Sequence, residues 1–195
     1  MDFQTIRDID LKGKTVLLRA DLNVPARRGK VMDTTRIDRL KPTIDYLSNA
    51  GAITLILSHF GRPEGEQNPE MSLAFLVPVL QKCWGYPVRF APDYLGPSGE
   101  HLAGFLEEGH VGLLENVRFH KGEQANDQDF SRALAKIADI YVNDAFSAAH
   151  RAHASTEGLA HFLPSAAGLL MEAELKALDQ ALGNPQKPVC AICAS

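Results

Sequence analysis

The chain has 195 residues, of which 45% are hydrophobic and 23% are charged, as in an ordinary globular domain. A formal net charge of -4 argues against a general nucleic-acid-binding protein, because such proteins usually carry a basic excess. The sequence shows no membrane-spanning run of roughly 18 apolar residues and no signal peptide at its start. Three cysteines are too few for a disulfide framework, so we expect a reduced, cytoplasmic setting.

Short apolar runs alternate with amphipathic segments along the chain. The predicted strands cover residues 15–18, 53–57, 88–90, 111–114, 140–142 and 188–192. The predicted helices cover 34–50, with Pro42 expected to kink it, 72–84 behind a Ser72 N-cap, 98–107, 127–138 and 170–182. Residues 26–33 and 64–70 are predicted to be loops. This alternation predicts an α/β fold: a three-layer, Rossmann-like domain with a mainly parallel sheet and helices on both faces.

The best candidate for a domain boundary is the cluster of Gly, Asn, Pro, Gln and Lys at 183–187. We therefore expect one domain over residues 1–183. Residues 184–195 would be a linker and the start of a second domain.

Charged and amide side chains follow the predicted strands at the points where those strands end. They are Asp21 and Asn23 after the first strand, His59 and Arg62 after the second, Arg118 and His120 after 111–114, and His150 and Arg151 after 140–142. Arg19 ends the first strand, and Arg36 lies in the first turn of the following helix. Ligands of open α/β sheets bind beyond the carboxyl ends of the strands, and Arg matches phosphate or carboxylate bidentately. These side chains therefore predict a pocket for a small polyanion.

Three other motifs point to a nucleotide, redox or metal site, but their spacing favours none of these. Gly13-Lys14-Thr15 lacks the earlier glycine of a P-loop and precedes its strand instead of following it. Cys190 and Cys193 have C-x-x-C spacing but no second pair, and on a strand their thiols would face opposite ways. The histidines near Arg151 lack a carboxylate at a familiar ligand spacing. We therefore expect no metal site.

Taken together, these clusters resemble the N-terminal half of the phosphoglycerate kinase family. The matching segments are Arg19-Ala-Asp-Leu-Asn-Val-Pro25, Thr35-Arg36-Ile37, Pro42-Thr-Ile44, Ser58-His-Phe-Gly-Arg-Pro63, Leu114-Glu-Asn-Val-Arg-Phe-His120, Asn143-Asp-Ala-Phe146 and Ala149-His-Arg-Ala-His153. They occur in the order typical of the family and span nearly the whole chain. The family is a two-lobed kinase that transfers a phosphoryl group between 1,3-bisphosphoglycerate and ADP, with Mg²⁺.

The resemblance assigns roles to the strand-end residues. It implies that Arg62, Arg118 and Arg151 hold the non-transferred phosphate of 3-phosphoglycerate. Asp21, Asn23 and His59 would contact its hydroxyl and carboxylate. Arg36 would face the transferring phosphoryl group as the catalytic residue. Arg19 and His150 are secondary candidates for substrate binding.

Two departures from the family pattern bear on activity. Ser147-Ala148 stands where the family usually has Gly-Thr, and Cys193-Ala194-Ser195 stands where a glycine-rich nucleotide loop would begin. We therefore expect a chain truncated before its nucleotide-binding lobe, binding no ADP, ATP or Mg²⁺ and inactive alone. The whole enzyme would be a monomer. The alternative is a stand-alone anion-binding or interaction module without catalysis.

Overall fold

The computed structural model describes residues 3–95, 102 and 104–183. The strands are β1 Thr15–Arg19, β2 Ala26–Arg27, β3 Lys30–Val31, β4 Ile53–Leu57, β5 Val88–Ala91, β6 Val111–Leu114, β7 Ile140–Asn143 and β8 Ser165–Ala167. The α-helices are α1 Thr35–Asn49, α2 Val77–Trp84, α3 Lys121–Gln124, α4 Gln128–Ala135 and α5 Leu169–Leu178. Within the described ranges, no helix is long and apolar enough to cross a membrane.

Six strands form one sheet in the order β5-β6-β4-β1-β7-β8, and every pairing in it is parallel. The two strands next to the central β1, namely β4 and β7, follow it only after long stretches of chain. The register places Val16 opposite both Thr54 and Ile140. The predicted parallel α/β fold is therefore confirmed.

Side chains of β1 alternate between two hydrophobic cores, one on each face of the sheet. Val16 and Leu18 pack into the core that includes Leu40 of α1 and Trp84 of α2. Leu17 packs into the opposite core, which includes Phe130 of α4. Because both faces of the sheet are covered, the strands are nearly continuous apolar runs. Helices therefore lie on both faces, as predicted.

Some predicted elements differ from the structure. The predicted loop over 26–33 contains the β2–β3 hairpin, whose turn residues Arg28 and Gly29 have φ of 51° and 70°. Two positive φ values in succession are typical of a type I′ turn. Strands of two residues are too short to show an alternating pattern, so the sequence did not reveal them. β8 was also missed, because Ser165–Ala167 is short and carries small side chains.

Helix boundaries shifted by a few residues, and one predicted helix was divided. Ser72 caps a 3-10 turn over Leu73–Leu76, which leads directly into α2. Pro42 lies within an α1 that continues to Asn49. The predicted helix over 127–138 is shorter, and α5 is followed by a π-helical turn over Asp179–Gly183. The predicted strand over 188–192 lies outside the described residues, as do residues 98–101 and 103 of the helix predicted over 98–107.

Candidate functional site

The four strands that end in polar clusters are consecutive neighbours in the sheet: β6, β4, β1 and β7. Since all their pairings are parallel, their carboxyl ends lie at the same edge. The predicted clusters therefore meet there, as the sequence argument requires. We call this edge the strand-end site.

Asp21 anchors one corner of the strand-end site. Its carboxylate accepts hydrogen bonds from Arg36 Nη1 at 2.8 Å and from Ser147 Oγ at 2.5 Å. Arg36 Nη1 also donates to the backbone oxygen of Asn23 at 3.0 Å. The loop after β1, the start of α1 and the loop after β7 are thereby joined. Ser147, one of the departures from the family pattern, was not predicted to take part.

Asn23 and Arg118 are tied together through the backbone of Gly61. Asn23 Oδ1 accepts from the Gly61 amide at 3.1 Å, and Arg118 Nη1 donates to the Gly61 carbonyl at 2.9 Å. Gly61 has φ of 64°, a conformation that other residues rarely adopt. Glycine at this position therefore lets the loop after β4 turn between the other two strand ends. It also places Arg62 beside them.

Arg118 is the most unusual member of the site. It is 5% exposed, and its Nε atom is buried without a hydrogen-bond partner among the described residues. Burial lowers the pKa of this guanidinium, and the nearby charges of Arg151, Arg19 and Arg62 lower it further. An arginine nevertheless remains charged at working pH. Such an arrangement is stabilised by an anion.

Arg62 and Arg151 are exposed beside it. Neither forms an ion pair with a carboxylate within the part of the chain that the structure describes, and the same holds for Arg118. Arg151 Nε instead donates to Nε2 of exposed His150 at 3.2 Å. Three guanidinium groups are thus available to an external anion. His150 lies at the rim of this group.

Arg19 lies beneath the site and does not line it. It is 1% exposed and donates to Ser155 Oγ at 2.9 Å and to the Ala20 carbonyl. Its Nη2 lies 2.9 Å from Nδ1 of His59. Each of the three guanidinium nitrogens of Arg19 is therefore already bonded to a protein group, and none is left over for a ligand. Arg19 instead holds the His59 ring in place from below.

Glu123 also lies beneath the site and was missed by the sequence argument. It is fully buried, accepts from Ser155 Oγ at 2.6 Å and lies 3.7 Å from His153 Nδ1. Burial alone would raise the pKa of this carboxyl, but the neighbouring His153 ring, the charge of Arg19 and the hydrogen bonds from Ser155 outweigh burial and lower it. The only sequence signal was its position, five residues after Arg118. Burial of a glutamate could not be read from that.

Two clefts adjoin the strand-end site. A cavity of about 230 Å³ is lined by Asp21, Arg36 and Ser147. A larger cleft of about 880 Å³ lies between the β2–β3 hairpin and Phe75, and its lining mixes aromatic and proline side chains with polar and charged ones. None of the strand-end arginines lines the larger cleft, so size alone does not locate the anion site.

The strand-end site does not suit a metal ion. Among the described residues, no group of three His, Cys, Asp or Glu side chains is placed to hold one. The arginines would repel a cation. Any Mg²⁺ bound with a nucleotide would need ligands from elsewhere.

Fold and site together define a Rossmann-like α/β domain with a cationic crevice at the carboxyl edge of its sheet. The phosphoglycerate kinase family model matches residues 6–194. The chain therefore belongs to the phosphoglycerate kinase family, which confirms the resemblance seen in the sequence motifs.

Individual relatives agree with this assignment. The phosphoglycerate kinase of Rhodospirillum centenum is 56% identical over 98% of the chain, and that of Cereibacter sphaeroides is 54% identical over 98%. The structure of phosphoglycerate kinase from Coxiella burnetii has a TM-score of 0.87 at 41% identity, covering 96% of this chain and 47% of that one. The chain spans about half the length of these relatives, 48% and 49% of the two curated sequences.

Proposed function

We propose that this chain forms the half of a phosphoglycerate kinase that binds 3-phosphoglycerate or 1,3-bisphosphoglycerate. The observation that carries the proposal is Arg118, whose buried guanidinium has an unpartnered Nε and stands near Arg62 and Arg151. Phosphate oxygens accept hydrogen bonds from guanidinium groups in bidentate geometry. A non-transferred phosphate held by these three arginines would satisfy the orphaned donor.

The other polar groups of the strand-end site suit the hydroxyl and the carboxylate of 3-phosphoglycerate. The ionised carboxylate of Asp21 can only accept, so it fits the substrate hydroxyl. Asn23 uses its carbonyl oxygen for Gly61, which leaves its amide nitrogen free to donate. We take His59 as the second donor, because its Nε2 has no hydrogen-bond partner among the described residues. Donors at Asn23 and His59 suit the substrate carboxylate.

Arg36 is the proposed catalytic residue. In phosphoryl transfer between 1,3-bisphosphoglycerate and ADP, negative charge spreads over the equatorial oxygens of the moving group. A fixed cation beside that group lowers the barrier by electrostatic stabilisation. Asp21 holds Arg36 at 2.8 Å, at the mouth of the site and half exposed. Mg²⁺ with the nucleotide would neutralise the nucleotide phosphates, and we assign both to the half of the relatives' length that this chain does not span.

The first test is calorimetric titration of the purified chain at low salt, with 3-phosphoglycerate and then MgADP. We expect the acid to bind and the nucleotide not to bind. Glycerate, which lacks the phosphate, is the matched control ligand and should bind far more weakly. Failure of 3-phosphoglycerate to bind, or equal binding of glycerate, would contradict the proposed phosphate site.

The second test separates an inactive half of an enzyme from a stand-alone binding module. The chain alone should form no ATP from 1,3-bisphosphoglycerate and MgADP. Fusing residues 1–183 to the C-terminal half of the Rhodospirillum centenum relative should restore turnover. A fusion that folds and binds both ligands but never turns over would favour the binding module. Turnover by the chain alone would refute its assigned inactivity.

The proposal extends to the setting of the whole protein. We take it to be a monomer, since both halves of its active site would come from one polypeptide. The described cysteine, Cys83, is a free thiol, which agrees with the reducing cytoplasm expected from the sequence. Cys190 and Cys193 lie outside the described residues.

A further inference from the structure

A continuous chain of buried hydrogen bonds leads from Glu123 to His59. Glu123 Oε1 accepts from Ser155 Oγ at 2.6 Å, and Ser155 Oγ accepts from Arg19 Nε at 2.9 Å. Arg19 Nη2 then reaches Nδ1 of His59 at 2.9 Å. Glu123, Ser155 and Arg19 are all almost fully buried, and none of them is needed to contact a ligand.

The direction of every bond in this chain is set by the chemistry of its groups. An ionised carboxylate can only accept, so the Ser155 hydroxyl hydrogen must point to Glu123. The oxygen of that hydroxyl is then free to accept from Arg19. Guanidinium has donors and no acceptor, so Arg19 must also donate to His59. Nδ1 of His59 must therefore be the acceptor and carry no hydrogen.

An imidazole whose Nδ1 accepts has its one hydrogen on Nε2 when it is neutral. A second proton would place an N–H of His59 against an N–H of Arg19. Among the described residues, no protein group is bonded to Nε2, although His59 itself is buried. That nitrogen is thus left as a donor for something else.

We propose that Glu123, Ser155 and Arg19 are positioning residues that hold His59 as the neutral, Nε2-protonated tautomer, so that it donates a hydrogen bond to substrate and does not act as an acid or base. The identity of the acceptor, a substrate oxygen, rests on the proposed function. The tautomer itself does not, because the protein alone fixes it.

The charges around His59 agree with a neutral ring. Burial and the charges of Arg19 and Arg118 lower the pKa of His59 to about 3. Asp21 and Glu123 act in the opposite direction and are outweighed. His59 therefore stays uncharged throughout the range in which an ordinary histidine titrates.

The direct test is the ring-nitrogen NMR spectrum of His59 in the ligand-free chain, assigned by the signals lost in His59→Gln. We expect a hydrogen on Nε2 alone and no titration between about pH 5 and pH 8. A ring protonated on Nδ1, or one that titrates within that interval, would overturn the proposal. This measurement needs neither a variant of the supporting residues nor any substrate.

The role of the supporting residues is tested by Ser155→Ala, which removes the bridge between Arg19 and Glu123. We expect Nδ1-protonated ring to appear in the spectrum and 3-phosphoglycerate affinity to fall about two- to tenfold, the size of one neutral hydrogen bond. Ser131→Ala is the matched control, because Ser131 is equally buried but, among the described residues, its hydroxyl bonds only to the Asp127 carbonyl. It should lower stability while leaving the His59 spectrum unchanged.

The outcomes separate this inference from the proposed function. An unchanged His59 spectrum in folded Ser155→Ala would remove Ser155 and Glu123 from the positioning role. If Ser155→Ala does not fold, the spectrum of the unaltered chain still decides the tautomer. The protein could show the Nε2-protonated tautomer of His59 and yet bind no 3-phosphoglycerate. That result would uphold the hydrogen-bond series from Glu123 to His59 and refute the substrate assignment alone.

Discussion

At the residue scale, Arg118 shows how a ligand can be anticipated from an unsatisfied group. Leaving a buried donor without a partner costs about 1–3 kcal/mol, and more if it is charged. The native fold tolerates this cost at Nε while satisfying Nη1 through Gly61. A phosphate that bonds to Nε recovers it. The free energy lost by leaving Nε unpaired in the ligand-free protein would therefore be regained when an anion binds.

Arg118→Ala should weaken 3-phosphoglycerate binding about ten- to a hundredfold, because a hydrogen bond to a charged group contributes roughly 1.5–3 kcal/mol. Calorimetric titration measures the change directly. Arg89→Ala is the control, since Arg89 is exposed on β5 and makes no contact with the strand-end site. Equal affinity of the two variants would remove Arg118 from the phosphate site.

Arg36→Ala should affect turnover far more than affinity in the active fusion. In its proposed role its guanidinium faces the moving phosphoryl group, whose charge spreads only as the transition state forms. Steady-state kinetics would show a large fall in kcat and a small change in KM. An unchanged kcat would refute the catalytic assignment.

The sequence allowed prediction of which arginines meet at the strand ends and not of the groups that lie beneath them. Arg62, Arg118 and Arg151 follow apolar runs, and that position is visible in one dimension. Arg19 also follows such a run, yet it is buried and turned toward Ser155, 136 residues away. Whether an arginine is buried or left open to a ligand depends on hydrogen-bond partners that are far away in the sequence. The spacing of nearby residues carries no information about such partners.

At the element scale, α5 is fixed to the sheet by the carboxylate of Asp144, just beyond β7. That carboxylate accepts from the Met171 amide at 2.9 Å and from Thr43 Oγ1 at 2.6 Å. Gly168 precedes α5, and a Cβ there would lie 2.3 Å from Asp144 Cγ. Only glycine leaves room for this attachment.

Gly168→Ala should therefore destabilise the domain by about 1–3 kcal/mol, the usual cost of overpacking a tight interior. Urea unfolding monitored by circular dichroism would measure it. Gly104→Ala is the control, because among the described residues a Cβ at Gly104 meets no atom within 4 Å. Equal stability of both variants would show that Asp144 moves aside without cost.

Asp144 also predicts a pH dependence of stability. Burial raises the pKa of its carboxyl despite the bonds from Thr43 and Met171. The folded protein therefore takes up this proton at a higher pH than the unfolded chain does. Relative to Asp144→Asn, the unaltered protein should gain stability as pH falls from neutral, until the ordinary aspartate pKa near about 3.9 is passed. A flat or falling difference in urea midpoints would contradict this.

Regular elements were more predictable than short ones. α1 shows Ile37, Leu40 and Ile44 at helical spacing, so tertiary packing and local pattern agree. The β2–β3 hairpin and β8 have two or three residues per strand, so their pairing partners define them. A short segment of sequence does not show which other residues it pairs with.

At the scale of the whole molecule, ligand binding should be visible as thermal stabilisation. At a ligand concentration of 100 Kd, binding adds about 2.7 kcal/mol to the free energy of unfolding. For a chain of this size that corresponds to a rise in Tm of about 5–11 °C with 3-phosphoglycerate. Differential scanning fluorimetry with glycerate in place of the phosphorylated acid supplies the control.

The dependence of this rise in Tm on salt concentration is a second test of where the ligand binds. Arg62 and Arg151 are exposed, so screening at physiological ionic strength should reduce their attraction for the anion. Buried Arg118 is screened less. The stabilisation should thus shrink with added sodium chloride without vanishing. A shift that ignores salt, or that glycerate reproduces, would point to binding elsewhere.

The position of β1 in the centre of the sheet has a consequence for biosynthesis. Thr15 at the start of β1 is bonded to Asp139, which is 124 residues later in the chain. A ribosome adding about 5–20 residues per second needs roughly 6–25 s to supply that partner. Throughout this interval one edge of β1, whose middle residues Val16, Leu17 and Leu18 are apolar, lacks its neighbour. The nascent chain is then exposed to aggregation, and shielding by a chaperone would be most valuable before β7 emerges.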